Sequence, residues 1–552
     1  ENITAGIEEV YQCLQLQMTM SPERAESEKR LGTWSARGSP GFVESLLRVI
    51  ASEEAAKPVR LLAAILLKNT IKAPVWSDVP ENERSLCRSM VVRLMSLMAR
   101  TGQDPIATQL ALVIGKIGEI EYPRQYPGLV SELVSQASLG DGAEYRKVVM
   151  SALRALKFLF NNKNKAIKKT KRASPWRRRT RVLEDENLGG SLETERKISE
   201  IWERYLSKFT SSGEIEDAKT AARATALLRE MYEWYPKGDA QRRQVLSRAL
   251  QASLTLENPG IYGEIKYHAD RIYYKIAEVA TRCLDGDPIE FAMDGILKGY
   301  LSLYTNRALF SSSVEEIQQT EGKHRVILLT FLASALTCPH YTPSSYVGRP
   351  GGFLEILRDA SEAVSRLVSP PPEGRCQELI HAIVTKYISL SPEEQLLWTS
   401  GPEAYIRRMD SECHNADNLQ PRATGIDLMI YLLGSNSETV KDCLLNLRSG
   451  LLGEDFSTVS GREGGEKLNK LFLRDACYRA IGELMAKIPT MMDPESWIRE
   501  ELMYMLQPEN YNTYPQSVLK ARAVWLLGVI SYELSFEPWA EAFNMAVSSI
   551  ES

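Results

Sequence analysis

Apolar residues recur along this chain at the spacing of a helix. Leu110, Val113, Ile114 and Ile117 stand at i, i+3, i+4 and i+7, and so do Ile481, Leu484, Met485 and Ile488. Val149, Leu153, Leu156 and Phe160 keep the same rhythm. Each set draws one apolar stripe down a helix, which buries one face and leaves the other to water. The strict alternation of β-branched and polar residues that marks a half-buried strand is not sustained. The expected fold class is therefore all-α.

The interruptions carry as much information as the stripes. Ser21-Pro22-Glu23, Asp104-Pro105, Asp287-Pro288, Ser391-Pro392-Glu393 and Asp493-Pro494-Glu495 each place a capping residue before proline. Proline at the first helical position loses no needed N–H, and a preceding Ser or Asp can accept an orphan one, so these are predicted helix starts. Between Ser21 and Tyr126 prolines fall about every 20 residues, which predicts helices of about four turns with short connections. Two helices per unit give a repeat of about 40 residues, the period of HEAT and armadillo arrays. The predicted fold is a HEAT-repeat (armadillo-like) right-handed superhelical solenoid, whose stacked pairs present a long concave surface suited to binding. Segments 164–188, 341–352, 369–374 and 453–465 read as loops by composition, none of them a domain boundary.

Length supports an array, because 552 residues exceed what one hydrophobic core can hold. Hydrophobic residues at 44% and charged residues at 25% are ordinary soluble usage, which excludes fibrous and wholly disordered classes. The longest apolar run, around residues 61–67, is far short of the ~20 residues of a membrane span. The first nine residues show no secretory signal, so a nuclear or cytoplasmic home is expected. Eight cysteines and five histidines are scattered without zinc or redox spacing, so no metal or cofactor is expected and the cysteines read as free thiols. No phosphate loop, nucleophile elbow or kinase signature occurs, and the chain is not expected to be an enzyme. Charge is uneven. Residues 163–181 hold ten basic residues and no acidic one; setting those ten aside from the formal net charge of −4 leaves the remainder at −14.

One set of segments resembles a known family. Ala25-Glu26-Ser27-Glu28-Lys29-Arg30-Leu31 with Trp34, Pro40-Gly41-Phe42, and Arg60-Leu61-Leu62-Ala63-Ala64-Ile65-Leu66-Leu67-Lys68-Asn69-Thr70-Ile71 with Trp76 are similar to the amino-terminal domain of the importin beta (karyopherin) family. Gln109-Leu110-Ala111-Leu112-Val113-Ile114-Gly115-Lys116-Ile117, Tyr122-Pro123 and Tyr126-Pro127 resemble the family's third repeat and the connection after it. Further on, Ser391-Pro392-Glu393-Glu394-Gln395 with Trp398, Leu473-Arg474-Asp475-Ala476-Cys477-Tyr478, Trp497, and Arg522-Ala523-Val524-Trp525-Leu526-Leu527-Gly528 resemble the importin-eleven branch. The family's solenoid is longer, so the chain is expected to correspond to its amino-terminal half.

The resemblance implies a nuclear import receptor that binds Ran-GTP through its first repeats, carries protein cargo, engages Phe-Gly nucleoporins and shuttles between nucleus and cytoplasm, reaching the nuclear envelope at pores. A monomer is expected. It assigns residues 1–102 to the Ran-binding region, 103–163 to repeats three and four, 164–188 to a basic loop and 189–552 to further repeats. Lys68, Asn69, Gln109 and Lys116 are the implied Ran contacts, with Arg154 and Lys157 as further candidates. A plainer reading makes Asn69 a helix cap and Lys116 a solvated charge. In the basic loop, Lys168, Lys169, Lys171, Arg172, Arg177, Arg178 and Arg179 are candidate partner contacts, although a run of like charge is usually solvated. Nucleic acid is not expected there, since no stacking aromatics accompany the run. Tyr267, Tyr273 and Tyr274 read as packing between repeats, with a Phe-Gly groove as the other reading. The acidic body is expected to suit basic cargo. Two rivals remain at this point: an exportin of the same superfamily, and a GTPase-independent HEAT scaffold.

Overall fold

Among residues 5–20, 22–140, 142–169, 191–234, 240–257, 264–310, 322–342, 351–401, 403–405, 420–452, 456, 466–485, 493–507, 511, 514–531 and 534–551, which a computed structural model describes, every regular element is helical and no strand occurs. The helices form two compact units, Glu1–Asp287 and Pro288–Ser552.

The first unit contains α1 (Ile7–Leu16), α2 (Arg24–Arg37), α3 (Phe42–Ala51), α4 (Lys57–Thr70), the short α5 (Ala73–Asp78), α6 (Glu81–Arg100), α7 (Asp104–Glu121), α8 (Leu129–Ala137), α9 (Ala143–Lys169), α10 (Ser191–Ser212), α11 (Ile215–Trp234), α12 (Ala240–Leu256) and α13 (Glu264–Gly286). Apart from α5 they pair in chain order. The leading helices α1, α3, α6, α8, α10 and α12 pack successively in one layer; the trailing helices α2, α4, α7, α9, α11 and α13 form the other. This is the two-layered HEAT arrangement that the apolar stripes and the proline spacing predict. Each pair is too small to bury both faces alone, so stacking completes the core.

Local chemistry sets the spacing of the layers. Gly115 and Gly118 let α7 approach α9 closely: a Cβ at Gly115 would stand 2.8 Å from the Phe158 Cβ, and one at Gly118 would overlap Leu159. Fully buried Trp76 donates its Nε1 to Glu121 Oε1 at 2.8 Å, and Arg88 reaches the same oxygen at 3.1 Å. Helix α3 begins after Gly41 (φ 82°), which has no side chain with which to cap it. Glu83 from α6 takes that role, accepting from the Gly41 N–H at 2.7 Å and the Glu44 N–H at 3.1 Å.

In the second unit, α14 (Pro288–Ala292) leads through a 3₁₀ turn into α15 (Ile296–Thr305), followed by α16 (Gly322–Leu336), α17 (Gly351–Val368), α18 (Cys376–Ile383), α19 (Pro392–Ser400), α20 (Pro421–Ser435), α21 (Ser437–Leu452), α22 (Glu466–Met485), α23 (Pro494–Trp497), α24 (Met503–Leu506), α25 (Ser517–Ile530) and α26 (Phe536–Glu551). A π-turn extends α15 over Asn306–Phe310, another extends α18 over Val384–Ile388, and a third, Ile498–Leu502, joins α23 to α24. The wide turn frees backbone carbonyls, and the next repeat fills them. Tyr387 donates its hydroxyl to the Ala308 carbonyl at 2.9 Å, and Lys386 donates its ammonium to that of Leu309 at 2.5 Å.

Two proline-led starts have the predicted chemistry in full. Ser391 caps α19 in a capping box with Glu394, and Asp493 accepts from the Glu495 and Ser496 N–H groups at the start of α23. Two others differ: α2 starts at Arg24, after Glu23, and Asp104 is itself the first residue of α7. The backbone of residues 164–169 continues α9 where a loop is expected, because Lys, Ala and Ile are sound helix formers and no breaker intervenes. Residues 369–374 are irregular as predicted. Within segment 453–465 the described residue, Phe456, is fully buried, and its carbonyl accepts from Gln516 Nε2 at 3.0 Å.

Candidate functional site

The trailing layer of the first unit brings together three of the sequence-predicted contacts. Lys68 in the last turn of α4 donates to Gln109 Oε1 on α7 at 3.1 Å, and Lys116, two turns along α7, donates to the Lys68 backbone carbonyl at 2.8 Å. That carbonyl is one of the four a helix end leaves unpaired, so Lys116 closes α4 from the neighbouring repeat. Burial, and then the Lys68 and Lys72 charges, pull the Lys116 ammonium below the usual lysine range. Asn69 is exposed beside this network. The plainer readings are thus altered: Lys116 is half-buried and bonded, and the Lys68 carbonyl is closed by a lysine of the next repeat. The arrangement offers a cationic rim with fixed amide and ammonium donors, a geometry for recognising acceptor oxygens on a partner surface.

Arg154 and Lys157 lie one turn apart on α9, in the same layer. Arg154 donates to the Thr108 hydroxyl on α7, which ties it to the repeat before. Burial lowers both; the Arg229 and Arg223 charges add to the effect at Lys157. Sequence reasoning passed over their neighbours Arg223, Arg271 and Lys275, which extend the same cationic strip onto α11 and α13. The i, i+4 spacing of Arg271 and Lys275 was the available signal.

Of the basic-loop candidates, Lys171, Arg172, Arg177, Arg178 and Arg179 lie outside the described residues. The backbone at Lys168 and Lys169 is helical. Tyr273 and Tyr274 are buried, in keeping with packing between repeats, whereas Tyr267 is exposed. In the second unit a mostly apolar cleft of about 650 Å³ opens where α18 meets α21 and the π-turn of α15, lined by Leu309, Phe310, His381, Ala382, Cys443 and Leu447.

Buried charge in the second unit is paired. Arg422 reaches Glu394 at 2.8 Å, Arg522 reaches Asp475 at 2.8 Å, and Glu501 receives Arg474 at 2.6 Å, Arg448 at 2.8 Å and Trp497 Nε1 at 2.8 Å. These groups staple helices; each charged atom is spent on its partner. Among the described residues no group of His, Cys, Asp and Glu could hold a metal ion, and no helix is long and apolar enough to cross a membrane. Burial raises the described cysteine thiols with resolved shifts, Cys87 to about 12, which makes them poor nucleophiles.

Residues 27–96 match the importin-beta N-terminal domain. The segment holds α4 and Lys68, while Gln109 and Lys116 fall beyond it. Importin-11 of Mus musculus is 22% identical over 523 residues, covering 91% of this chain and 49% of the mouse protein. The importin alpha re-exporter of Saccharomyces cerevisiae is 33% identical over 107 residues, 18% of this chain and 11% of that protein. Among solved structures, the exportin Cse1 in its cargo-free, cytoplasmic state has a TM-score of 0.64 at 17% identity, covering 99% of this chain and 55% of the exportin. Lph2, a bidirectional nuclear transport receptor of S. cerevisiae, has a TM-score of 0.64 at 13% identity, with 95% and 51% covered. The chain thus spans about half the length of importin-11, and its fold is that of these solenoids.

Proposed function

We propose that this chain is a nuclear transport receptor of the importin-beta family that binds Ran-GTP through its first repeats and carries protein cargo into the nucleus. The observation that carries the reading is the Lys68, Gln109 and Lys116 network on adjacent trailing helices, at and just beyond the segment matched to the importin-beta N-terminal domain. Lys68 and exposed Asn69 are the direct contacts in this reading; Lys116 holds the end of α4 in place for them. Similarity to importin-11 along 91% of the chain favours import over export. No step of bond making or breaking is assigned to the receptor, and GTP chemistry stays on Ran.

Two ligands that favour different arrangements of one repeat array lower each other's affinity by the same factor, which is how Ran-GTP would release cargo. The acidic balance outside residues 163–181 suits basic cargo. The mostly apolar cleft beside Phe310 and Leu447 is large enough to take the phenylalanine ring of a Phe-Gly repeat. A monomer that shuttles between nucleus and cytoplasm, with passage through pores, completes the reading.

Binding to purified Ran, loaded with a non-hydrolysable GTP analogue or with GDP, tests it. The expected result is tight binding of the GTP form alone, weakened by Lys68→Glu. Binding to neither form would replace this reading with a GTPase-independent HEAT scaffold. Cargo that dissociates on adding the Ran complex supports import, whereas cargo that binds only with it reverses the direction.

A further inference from the structure

Trailing helices α9, α11 and α13 pack side by side, and six half-buried cations lie along them. They fall into two rungs: Arg154, Arg223 and Arg271 in one, and Lys157, Arg229 and Lys275 in the other, each three to six residues further along its helix. Burial, then Arg154 on one side and Arg271 on the other, draws the Arg223 guanidinium down to about 10. Burial likewise brings Lys275 to about 8, with Lys157, Arg229 and Arg271 pressing the same way against the pull of Glu278. Each cation therefore senses the next across the helix boundary.

Arg229 is neutralised, at 2.7 Å from Glu278 and in a second ion pair with Glu230. Arg154 has the Thr108 hydroxyl. Lys157, Arg223, Arg271 and Lys275 make no ion pair or hydrogen bond with another described residue. The carboxylates within reach, Glu230 and Glu278, are both ion-paired to Arg229 and only partly offset the charge of Lys157 and Lys275, so the grid keeps an excess of half-buried positive charge that concentrates a positive field and suits an anionic partner.

We propose that this grid is a docking site for an acidic peptide segment laid across α9, α11 and α13, with a carboxylate at about every third residue. The spacing follows from geometry. Packed helices stand about 8–10 Å apart, and a polyproline II strand shows every third side chain on one face at about 9 Å. Arginine forks suit carboxylates in two-pronged contacts. A nucleic acid fits less well, because Tyr273 and Tyr274 are buried and Tyr267, one turn before Arg271, is a single exposed ring where a run of bases would need several stacking faces. Arg223, Arg271 and Lys275 stand outside the surface assigned to Ran, so the proposal goes beyond the transport reading and holds whether or not Ran binds.

Fluorescence anisotropy on the full chain tests it with a short labelled peptide bearing glutamate at every third position. Competitors are the same composition with its glutamates contiguous, a single-stranded oligodeoxynucleotide of equal charge, and inorganic phosphate. The spaced peptide is expected to bind best. Arg223→Gln with Arg271→Gln is expected to weaken it by about tenfold or more, with Ran binding as a separate readout. Lys275→Met, which removes a repelled cation and should fold at least as well, is expected to weaken it too. Unchanged binding in the folded Lys275→Met chain would overturn the proposal. So would preference for the oligonucleotide, or displacement of the peptide by phosphate at equal charge.

Discussion

Arg522 on α25 donates its Nε to Asp475 Oδ1 at 2.8 Å and its Nη2 to Oδ2 at 3.4 Å, although the two residues are far apart in sequence and both are buried. The pair joins two of the segments that carry the family resemblance, and it explains why those segments hold charge inside a core. Removing one partner leaves the other ionised and enclosed. Asp475→Ala is expected to cost about 3–5 kcal/mol of the second unit's stability. Replacing both residues by leucine should cost far less than the two single changes together. A double-mutant cycle in denaturant measures this, and simple additivity would show that the pair is not a unit.

Close helix approach at Gly482 gives a second expectation. A Cβ there would stand 2.6 Å from the Trp525 ring and 2.7 Å from Leu526 Cδ2. Overpacking of this kind costs about 1–3 kcal/mol, so Gly482→Ala should lower the melting temperature, while Gly528→Ala, with open space around it, should not. Equal melting temperatures for the two would mean that α22 and α25 part without cost.

At the amino-terminal network, two substitutions that look alike should behave differently. Lys68→Glu places the change on a side chain that reaches across to Gln109, and should weaken the Ran-GTP analogue by about tenfold with a steep salt dependence. Lys116→Met takes the donor from the partly buried Lys68 carbonyl and should also lower stability, by about 1 kcal/mol for the lost hydrogen bond. Thermal melts beside Ran titrations separate the two; identical profiles would remove the distinction between contact and support.

Lys275 sets a pH dependence whose sign follows from its environment. Folding lowers its pKa to about 8 from an ordinary value near 10.4. Between those values the unfolded chain holds the extra proton, so the Lys275 contribution to stability rises with pH across that window. Glu278 opposes this effect and Lys157, Arg229 and Arg271 reinforce it. Lys275→Met should therefore stabilise the first unit at neutral pH, by an amount of order 1 kcal/mol, and flatten the slope between pH 8 and 10. Urea melts at several pH values would expose a wrong sign directly.

Helix periodicity and the proline-led starts were legible in the sequence because both are local: Ser391 caps α19 through its own next turn. Pairings across repeats were not. Glu83 caps α3, and Lys116 closes α4, from helices whose register against their neighbours depends on how Gly115 and Gly118 let α7 settle on α9. A lone lysine such as Lys275 reads in one dimension as a solvated charge. Only stacking shows that its neighbours across the layer are also cations. Phe456 was read as loop because its surroundings are rich in glycine, yet the ring is enclosed and its carbonyl holds Gln516.

The π-turns at Asn306–Phe310 and Val384–Ile388 each take in one more residue per turn than the helix around them. Elsewhere in a helix an inserted residue would rotate everything after it by about 100° and carry the apolar stripe off its neighbour. Here the surplus is contained within one loop of backbone, and at Asn306–Phe310 the loosened carbonyls of Ala308 and Leu309 are held by Tyr387 and Lys386 from the second turn. The array therefore has places where chain length and helix phase are uncoupled, and a single deletion within residues 306–310 would tighten the coil locally where the same deletion in α22 would scramble a core.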